Sequence, residues 1–585
     1  MLYAYTAFIP FFLPAMPDSA PSASEPLAQG AAFPTSHPRP FYYLENFESV
    51  LSWVCERYGD LLDVAERDFI AGFAGLPRTS RALLVRMAMR KGDLFRASKL
   101  RYVEIGDARK AVQPLIEIGW VAGDPELTLE QLFALLTKQE CILALGLQAH
   151  RAAAKPQLLE MAQNQFEETR RFSAWHANSG DEVYEVRNGA VFDRLRLMFF
   201  GNLYQDWSEF VLADLGIWNY EKVEFLPGSR AFETRKDVDL YLQLDACLES
   251  LHADEALAEI ETQATSLVCA NPWLRTKQAK LLFRLAQRHE QLGNWGDALR
   301  LYASCGYPGA RARRIRVLEK DGRHDAAMAL AKIAENSPES EAEAQQLLRM
   351  APRLRRKLGL ARREKTSKPA LPRIDLLLPL PDEDQAVELC AAEHFQQSDA
   401  GSAVHFVENT LINSLFGLLC WDAIFTAVPG AFFHPFQSGP ADLHDPDFHA
   451  RRAPQFDACL SQLDSRTYRE TILTNFKRKA GILSPFVFWD ALTPELLEQA
   501  LACLPPAHLK LWFERMLRDL SANCAGFPDL IQFWPQEKRY RLIEVKGPGD
   551  RLQDNQIRLL DFCLAHDMPV AACYVQWREL AGKDT

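Results

Sequence analysis

The sequence lacks the cysteine pairs from which zinc sites and disulfide frameworks are built. Its 12 cysteines are scattered from Cys55 to Cys573, with no CxxC and no Cys/His cluster at zinc spacing. That argues against both kinds of site and leaves buried free thiols in a reducing cytosol as the expectation. The chain also lacks a long, uninterrupted apolar run. The opening MLYAYTAFIPFFLPAM has no positively charged start, is broken by Pro10 and Pro14, and is too short to span a bilayer. A poorly ordered leader is expected there, and no membrane partner. Positive charge is in deficit: 66 Lys and Arg against 77 Asp and Glu, a net charge of −11. This average does not favour nucleic acid, but binding depends on where the charges sit. Basic stretches stand at 86–101, 311–320 and 353–373.

With 585 residues the chain exceeds one core, and three or four domains are expected. Residues 1–40, rich in Pro, Ser and Ala at their end, read as a disordered leader. Residues 41–107 carry helical apolar spacing through Leu44, Phe47, Val50, Leu51 and Val54, then Leu61, Leu62, Phe69 and Phe73. A further helix is expected over 83–95. Within 108–160, LTLEQLFALLTKQECILAL predicts two short helices with Thr128 as an N-cap. Residues 161–360 are helical in pattern, with few strand-like alternations. They hold a weak repeat, in which Gly293 and Gly322 stand before Ala298 and Ala327 between helical patterns. A tetratricopeptide-like array fits this, and a plain bundle fits almost as well. Residues 361–386, basic and Pro-rich, read as a linker or strap. In 387–585 helices return over 387–425, and strand-like runs then appear for the first time, at 529–534, 540–545 and 570–576. The expected fold is therefore a mainly α-helical body followed by a C-terminal α/β domain.

The chemistry concentrates in GFPDLIQFWPQEKRYRLIEVKGPGD, residues 526–550. Two strand-like runs flank PQEKR, which predicts a β-hairpin. Asp529 opens the first strand. Glu544 and Lys546 share one face of the second, while Val545 points the other way. Pairing the strands can bring Asp529 towards that face. Hard cations such as Mg²⁺ or Mn²⁺ take oxygen ligands, and Asp529, Glu544 and the Val545 carbonyl can supply three. A metal there polarises a phosphoryl oxygen, and Lys546 can orient water or stabilise charge. A solvated surface hairpin is the competing reading, since this spacing is common. Against it, Glu544 and Lys546 interrupt an otherwise apolar strand.

The motif resembles the PD-(D/E)xK nuclease superfamily and, within it, the VRR-NUC domain. The blocks VENTLINSLFGLLCWDAIF, VPGAFFHPFQSGPADL, YYLENFESVL and VRMAMRKGDLFRASKLRYVEI extend this to a resemblance with the Fanconi-associated nuclease 1 family over nearly the whole chain past residue 41. A bacterial member, cytoplasmic and nucleoid-associated, is expected, with the nucleus as the compartment if the chain is eukaryotic. The resemblance implies a structure-selective DNA nuclease acting on 5′ flaps, with 5′-to-3′ exonuclease activity, in interstrand cross-link repair. It implies an N-terminal helical DNA-binding domain (41–107), a SAP-like unit (108–160), a TPR-like helical domain (161–360) and a VRR-NUC domain (387–585). The family's metal ligands correspond to Glu408, Asp529, Glu544 and Val545, holding one or two Mg²⁺ or Mn²⁺ ions, with Lys546 as the catalytic lysine. Glu408 is expected on a helix. Gln556 takes a supporting role. His434 is read as a structural residue more readily than as a phosphate contact.

Arg90, Lys91, Arg96, Lys99 and Arg101 alternate with Leu94, Phe95, Leu100 and Tyr102. They are expected to contact the phosphates of branched or 5′-flap DNA, so that shape rather than base sequence is recognised. A monomer or a DNA-dependent dimer is expected. The other readings are a Holliday-junction resolvase-like endonuclease and a catalytically inactive helical scaffold.

Overall fold

The computed structural model describes residues 40–166, 168–205, 219–225, 227–361, 370–381 and 385–578. The expected leader lies outside them apart from Pro40, as does part of the expected linker. Three helices come first: α1 (Tyr42–Tyr58), α2 (Val64–Gly75) and α3 (Arg78–Ala88). Their apolar positions recur at helical spacing and are buried together. The helix expected over 83–95 ends at Ala88. Leu94–Arg96 is instead a strand, β1, paired antiparallel with β5 (Val183–Val186), which also pairs with β2 (Val121–Gly123). Strands therefore appear well before residue 529. Gly92 at φ +88 turns the chain between the helix end and β1.

Helix α4 (Ala108–Glu117) leads through β2 and β3 (Glu126–Leu127) to α5 (Leu129–Leu135) and α6 (Lys138–Leu145). The latter two begin with capping boxes, Thr128 with Gln131 and Thr137 with Glu140, as Thr128 predicts. Next come α7 (Lys155–Gln163), β4 (Arg170–Arg171, paired with β3) and α8 (Gly189–Phe200). A run of helices follows: α9 (Arg235–His252), α10 (Leu257–Ser266), α11 (Pro272–Leu292), α12 (Trp295–Ser304), α13 (Ala310–Lys320), α14 (His324–Asn336) and α15 (Glu341–Lys357). From α11 onward each packs on the next. Gly293 and Gly322, the repeated glycines, both turn between helices at φ +79 and +78, and Ala298 and Ala327 are fully buried.

The C-terminal region is built on a five-stranded mixed sheet of order β6-β10-β9-β8-β7. Strand β6 (Arg373–Pro379) falls inside the stretch expected to be a linker. It pairs parallel with β10 (Val570–Arg578), which pairs parallel with β9 (Arg539–Lys546). Between β6 and β7 (Ala403–Phe406) runs α16 (Val387–Ser398). Strand β7 interrupts the helices expected over 387–425, and α17 (Leu411–Leu419) follows it. Helices α18 (Ala453–Ser465), α19 (Tyr468–Arg478), α20 (Pro494–Cys503) and α21 (Pro506–Arg518) lead to the hairpin of β8 (Leu530–Trp534) and β9. Helix α22 (Asp554–Ala565) then crosses to β10. One face of the hairpin, with Ile531, Phe533, Tyr540 and Leu542, belongs to the large helical core of this region. Leu530, Ile543 and Val545 on the other face pack on Ala391 and Phe395 of α16. A sheet covered on both sides reads as nearly continuous apolar sequence, as LIQFW does.

The two regions are keyed together by the loop around Phe433. Its ring packs against Phe232 and Trp273, and its carbonyl accepts a 3.1 Å hydrogen bond from Trp53 Nε1. His434 is buried beside it, stacked on Phe199 at 5.1 Å, with Nδ1 accepting from the Phe436 amide at 3.1 Å. Burial pushes its pKa down to about 3. His434 is thus a neutral packing residue out of reach of phosphate.

Candidate active site

The hairpin register places the site. Leu530 pairs with Ile543 and Ile531 with Leu542. One step outward, Asp529 stands opposite Glu544. Its carboxylate Oδ2 accepts a 2.7 Å hydrogen bond from the Val545 amide, which locks it onto the end of β9. Glu544 and Lys546, two apart on β9, share a face, and Lys546 Nζ donates to Glu544 Oε1 at 2.7 Å. Val545 points into the α16 side, as alternation requires.

Burial sets the electrostatics. Glu544 is 0% exposed and Asp529 6%. Desolvation, then the Asp529 charge, pushes the Glu544 carboxyl up to about 7. Desolvation likewise raises Asp529 to about 6, with Glu408 and Glu388 adding and the Val545 amide and Lys546 opposing. For Lys546, burial works against the charge, yet its bond to Glu544 and the nearby carboxylates hold its pKa above the usual value. Glu544 Oε2 is buried without a hydrogen-bond partner. An orphaned carboxylate oxygen costs free energy unless something cationic completes it. Asp529, Glu544 and the Val545 carbonyl are hard oxygen donors suited to a divalent cation. Among the described residues no three acidic, His or Cys side chains are already drawn into a ligand cluster. The fit therefore rests on donor chemistry and on the orphaned oxygen.

Glu408 is exposed in the turn between β7 and α17, not on the expected helix. Its charge nonetheless reaches both Asp529 and Glu544. The turn is held by its neighbour. Asn409, in the left-handed region at φ +53, accepts at Oδ1 from the amides of Gly526 (2.8 Å) and Phe527 (3.0 Å). Gly526 at φ +95 lies so near α22 that a Cβ would sit 2.8 Å from the Asn555 carbonyl carbon. The Gly547–Asp550 loop is closed by the Gly547 amide bonding Asp550 Oδ2 at 3.1 Å. Gln556, expected in a supporting role, stands in the first turn of α22. Its Oε1 accepts from the Gln553 amide at 2.8 Å and caps its own helix.

Asn409, Gly526, Asp550 and Glu388 were not singled out by sequence reasoning. The first three act through turns, and a lone Asn, Gly or Asp carries no local signal of its distant partner. Glu388 sits in the first turn of α16, on an element brought to the site only by the sheet.

The basic block divides. Arg90, Lys91, Lys99 and Arg101 are exposed. Arg90, Lys91 and Lys99 edge a concavity of about 240 Å³ floored by Phe95 and Leu135. Arg90 Nη1 donates to the Lys99 carbonyl at 3.3 Å, and Arg101 Nε to the Ser98 carbonyl at 2.9 Å. Arg96 corrects the expectation. It is buried, with Nη1 and Nη2 on Glu140 at 2.8 and 2.7 Å and Nε on Asp181 at 2.8 Å. Its guanidinium ties β1 to α6, so that where Arg96 lines the same concavity its charge is already engaged by two carboxylates.

Three family profiles match the chain: FAN1, HTH domain over residues 41–122, Fanconi anemia-associated nuclease SAP domain over 126–175, and VRR-NUC domain over 464–577. The chain is 55% identical over 543 residues to the Fanconi-associated nuclease 1 homolog of Pseudomonas aeruginosa, covering 92% of this chain and 96% of that protein. It is 23% identical to human Fanconi-associated nuclease 1, covering 96% of this chain and 64% of the human protein. A crystal structure of paFAN1 bound to 2nt 5′-flap DNA with gap superimposes with a TM-score of 0.88, covering 93% of this chain and 99% of that one. The complex with a 1nt flap gives 0.86, covering 92% and 100%. With 55% identity over 92% of this chain and 96% of its Pseudomonas aeruginosa relative, the chain belongs to the Fanconi-associated nuclease 1 family.

Proposed function

We propose that this protein is a structure-selective DNA nuclease that cuts 5′ flaps and degrades DNA 5′ to 3′, serving interstrand cross-link repair in a bacterium. The observation that carries the chemistry is the buried, unpartnered Glu544 Oε2 opposite Asp529 and beside Lys546. The VRR-NUC family implies dependence on a divalent metal. In this reading Asp529, Glu544, Glu408 and the Val545 carbonyl hold one or two Mg²⁺ or Mn²⁺ ions. Such an ion supplies Lewis-acid charge to a phosphodiester and acidifies water. Lys546, already cationic at the end of β9, donates to the charge that develops on the scissile phosphate. Asp529 holds the end of β9 in place through the Val545 amide.

In the same reading residues 41–107 form the DNA-binding helical domain, 108–160 the SAP-like unit, 161–360 the TPR-like domain and 387–585 the nuclease domain, with 361–386 connecting them. Arg90, Lys91, Lys99 and Arg101 take the DNA backbone, and the protein acts as a monomer or pairs on DNA. The related crystal structures were determined with 5′-flap DNA, which supports that substrate over a four-way junction. Among the described residues no helix is long and apolar enough to cross a membrane.

The test is cleavage of 5′-flap, 3′-flap and four-way-junction DNA, with Mn²⁺ and with EDTA, beside Asp529→Ala. The expected result is 5′-flap cutting that needs the metal and Asp529. Cutting that survives Asp529→Ala overturns the mechanism. Symmetric junction cleavage favours a resolvase, and no cutting favours a scaffold.

A further inference from the structure

We propose that α15, the last helix of the helical body, is a strut that sets the active site, with Arg349 as its positioning residue. The inference rests on the nuclease reading above. Helix α15 grips the first turns of α22. Arg349 Nη1 donates to Asp554 Oδ2 at 2.7 Å, and its Nη2 bonds Asp554 Oδ1. Gln345 Nε2 donates to the Asp554 carbonyl at 3.1 Å, and Arg558 donates to Gln345 Oε1 at 2.7 Å. Beneath them, Arg515 of α21, 1% exposed, is paired with Glu341 at 2.8 Å. Asp554 is separated from these α15 partners by about two hundred residues of chain, so only tertiary structure brings them together.

The polar bonds between α15 and α22 stand at the edge of a gap in the packing. Beside the polar bonds lies an open groove of about 400 Å³, lined by Ala344, Leu348, Phe562 and Leu564. Protein interiors are close-packed, and a junction left open is held by its directed bonds rather than by interlocking side chains. A bidentate Arg–carboxylate pair specifies both distance and angle.

The first turn of α22 in turn abuts the segment that leads to Asp529. The Asn555–Gln556 peptide lies against Gly526, where no side chain fits. Gly526 and Phe527 present their amides to Asn409 Oδ1, next to Glu408. Two residues beyond Phe527 is Asp529. A displacement of α22 at Asp554 therefore moves the Gly526 segment and, with it, the carboxylates on either side. The same helix array is the part of the chain between the N-terminal DNA-binding elements and the nuclease sheet. The strut thus makes catalytic geometry depend on the helical body without touching DNA or metal.

Arg349 and Asp554 are each about half exposed (52% and 48%). A pair this exposed adds little to stability, so its removal leaves the fold intact and the positioning effect readable. The full-length Arg349→Ala, Gln345→Ala and Asp554→Asn proteins, the Arg349→Ala/Asp554→Asn double variant and the charge-swapped Arg349→Asp/Asp554→Arg protein are compared with wild type. Three quantities are read: the single-turnover rate on 5′-flap DNA with Mn²⁺, the DNA Kd by anisotropy in EDTA, and amide exchange in the peptides spanning 524–530 and 550–558.

The expected result is a rate about five- to ten-fold lower in each single variant, with DNA Kd held within about two-fold. The double variant is no slower than the worse single, the swap recovers most of the rate, and exchange rises in both peptides. Unchanged rates overturn the proposal. So does a rate loss that follows a loss of DNA affinity, which makes Arg349 a phosphate contact, and so do additive losses without rescue. Wild-type protein that fails to cut, or Asp529→Ala protein that still cuts, counts against the nuclease reading and not against the strut.

Discussion

Lys546 gives one hydrogen bond to Glu544 Oε1, at 2.7 Å, and leaves Glu544 Oε2 buried with no partner. The lysine engages one carboxylate oxygen, and the other, opposite Asp529, is an acceptor that the fold has taken out of water. Replacing the lysine separates its two effects. Lys546→Ala is expected to lower the cleavage rate by roughly 10²- to 10³-fold, the size of losing one preorganised donor to developing charge. Lys546→Arg keeps the charge but not the compact donor, and is expected to restore little of that rate. Single-turnover kinetics at saturating DNA measure both. A Lys546→Ala protein that cuts at the wild-type rate contradicts the role given to the amine.

Asp529 and Glu544 have pKa values raised to about 6 and about 7. A carboxyl raised on folding binds more protons when native than when unfolded. Its favourable contribution is complete below the unfolded pKa, near 4, and is lost as pH rises through the folded value. Metal-free protein is therefore expected to lose stability from this pair between about pH 4 and pH 7. Because a metal must displace these protons, its affinity rises over the upper part of that window and binding releases protons. Thermal melts with and without Ca²⁺ should show a larger metal-induced rise in Tm at pH 8 than at pH 5.5. An equal rise at both pH values, or one unaffected by Glu544→Gln, counts against these ligands.

Gly526, three residues before Asp529, meets α22 at a junction with no room for a side chain. Gly526→Ala must either move Asn555 or leave φ +95, and Asn409→Ala orphans two amides. Each is expected to cost about 1–3 kcal/mol of stability and to lower cleavage more than DNA binding. Urea unfolding beside anisotropy checks this. A loss confined to DNA binding refutes it.

The basic block makes a divided prediction. Lys91→Ala and Lys99→Ala remove exposed charges and are expected to weaken DNA binding with unchanged melting. For every lysine–phosphate pairing removed, the slope of log K against log salt falls by about one. Arg96→Ala instead strands the half-buried Glu140 and Asp181 and is expected to destabilise the fold by about 2–3 kcal/mol. Calorimetry and a salt titration of each variant distinguish the two. An Arg96→Ala protein with native stability and weakened DNA binding reverses the assignment.

Local pattern determined a good deal. The spacing of apolar residues gave the first two helices and Thr128 its capping box, because helix periodicity and end chemistry act within a few residues. Alternation in RLIEVK put Glu544 and Lys546 on one face and Val545 on the other, and the two apolar runs around PQEKR paired as the hairpin. Gly293 and Gly322 marked the turns of the helical array.

What tertiary structure decided lies wherever a residue acts through a partner far along the chain. Strand β6 hides in a stretch whose composition reads as a linker, since an edge strand needs only a neighbour to complete it. Glu408 was placed on a helix because the apolar run of α17 dominates its surroundings, whereas β7 and Asn409 hold it in a turn. Arg96 looked like its basic neighbours until the fold put Glu140 and Asp181 around it. The grip of Arg349 on Asp554 has no sequence signature at all. A charge declares its type in the sequence, but its task is settled by the low-dielectric surroundings and the opposite charges that only the folded chain assembles.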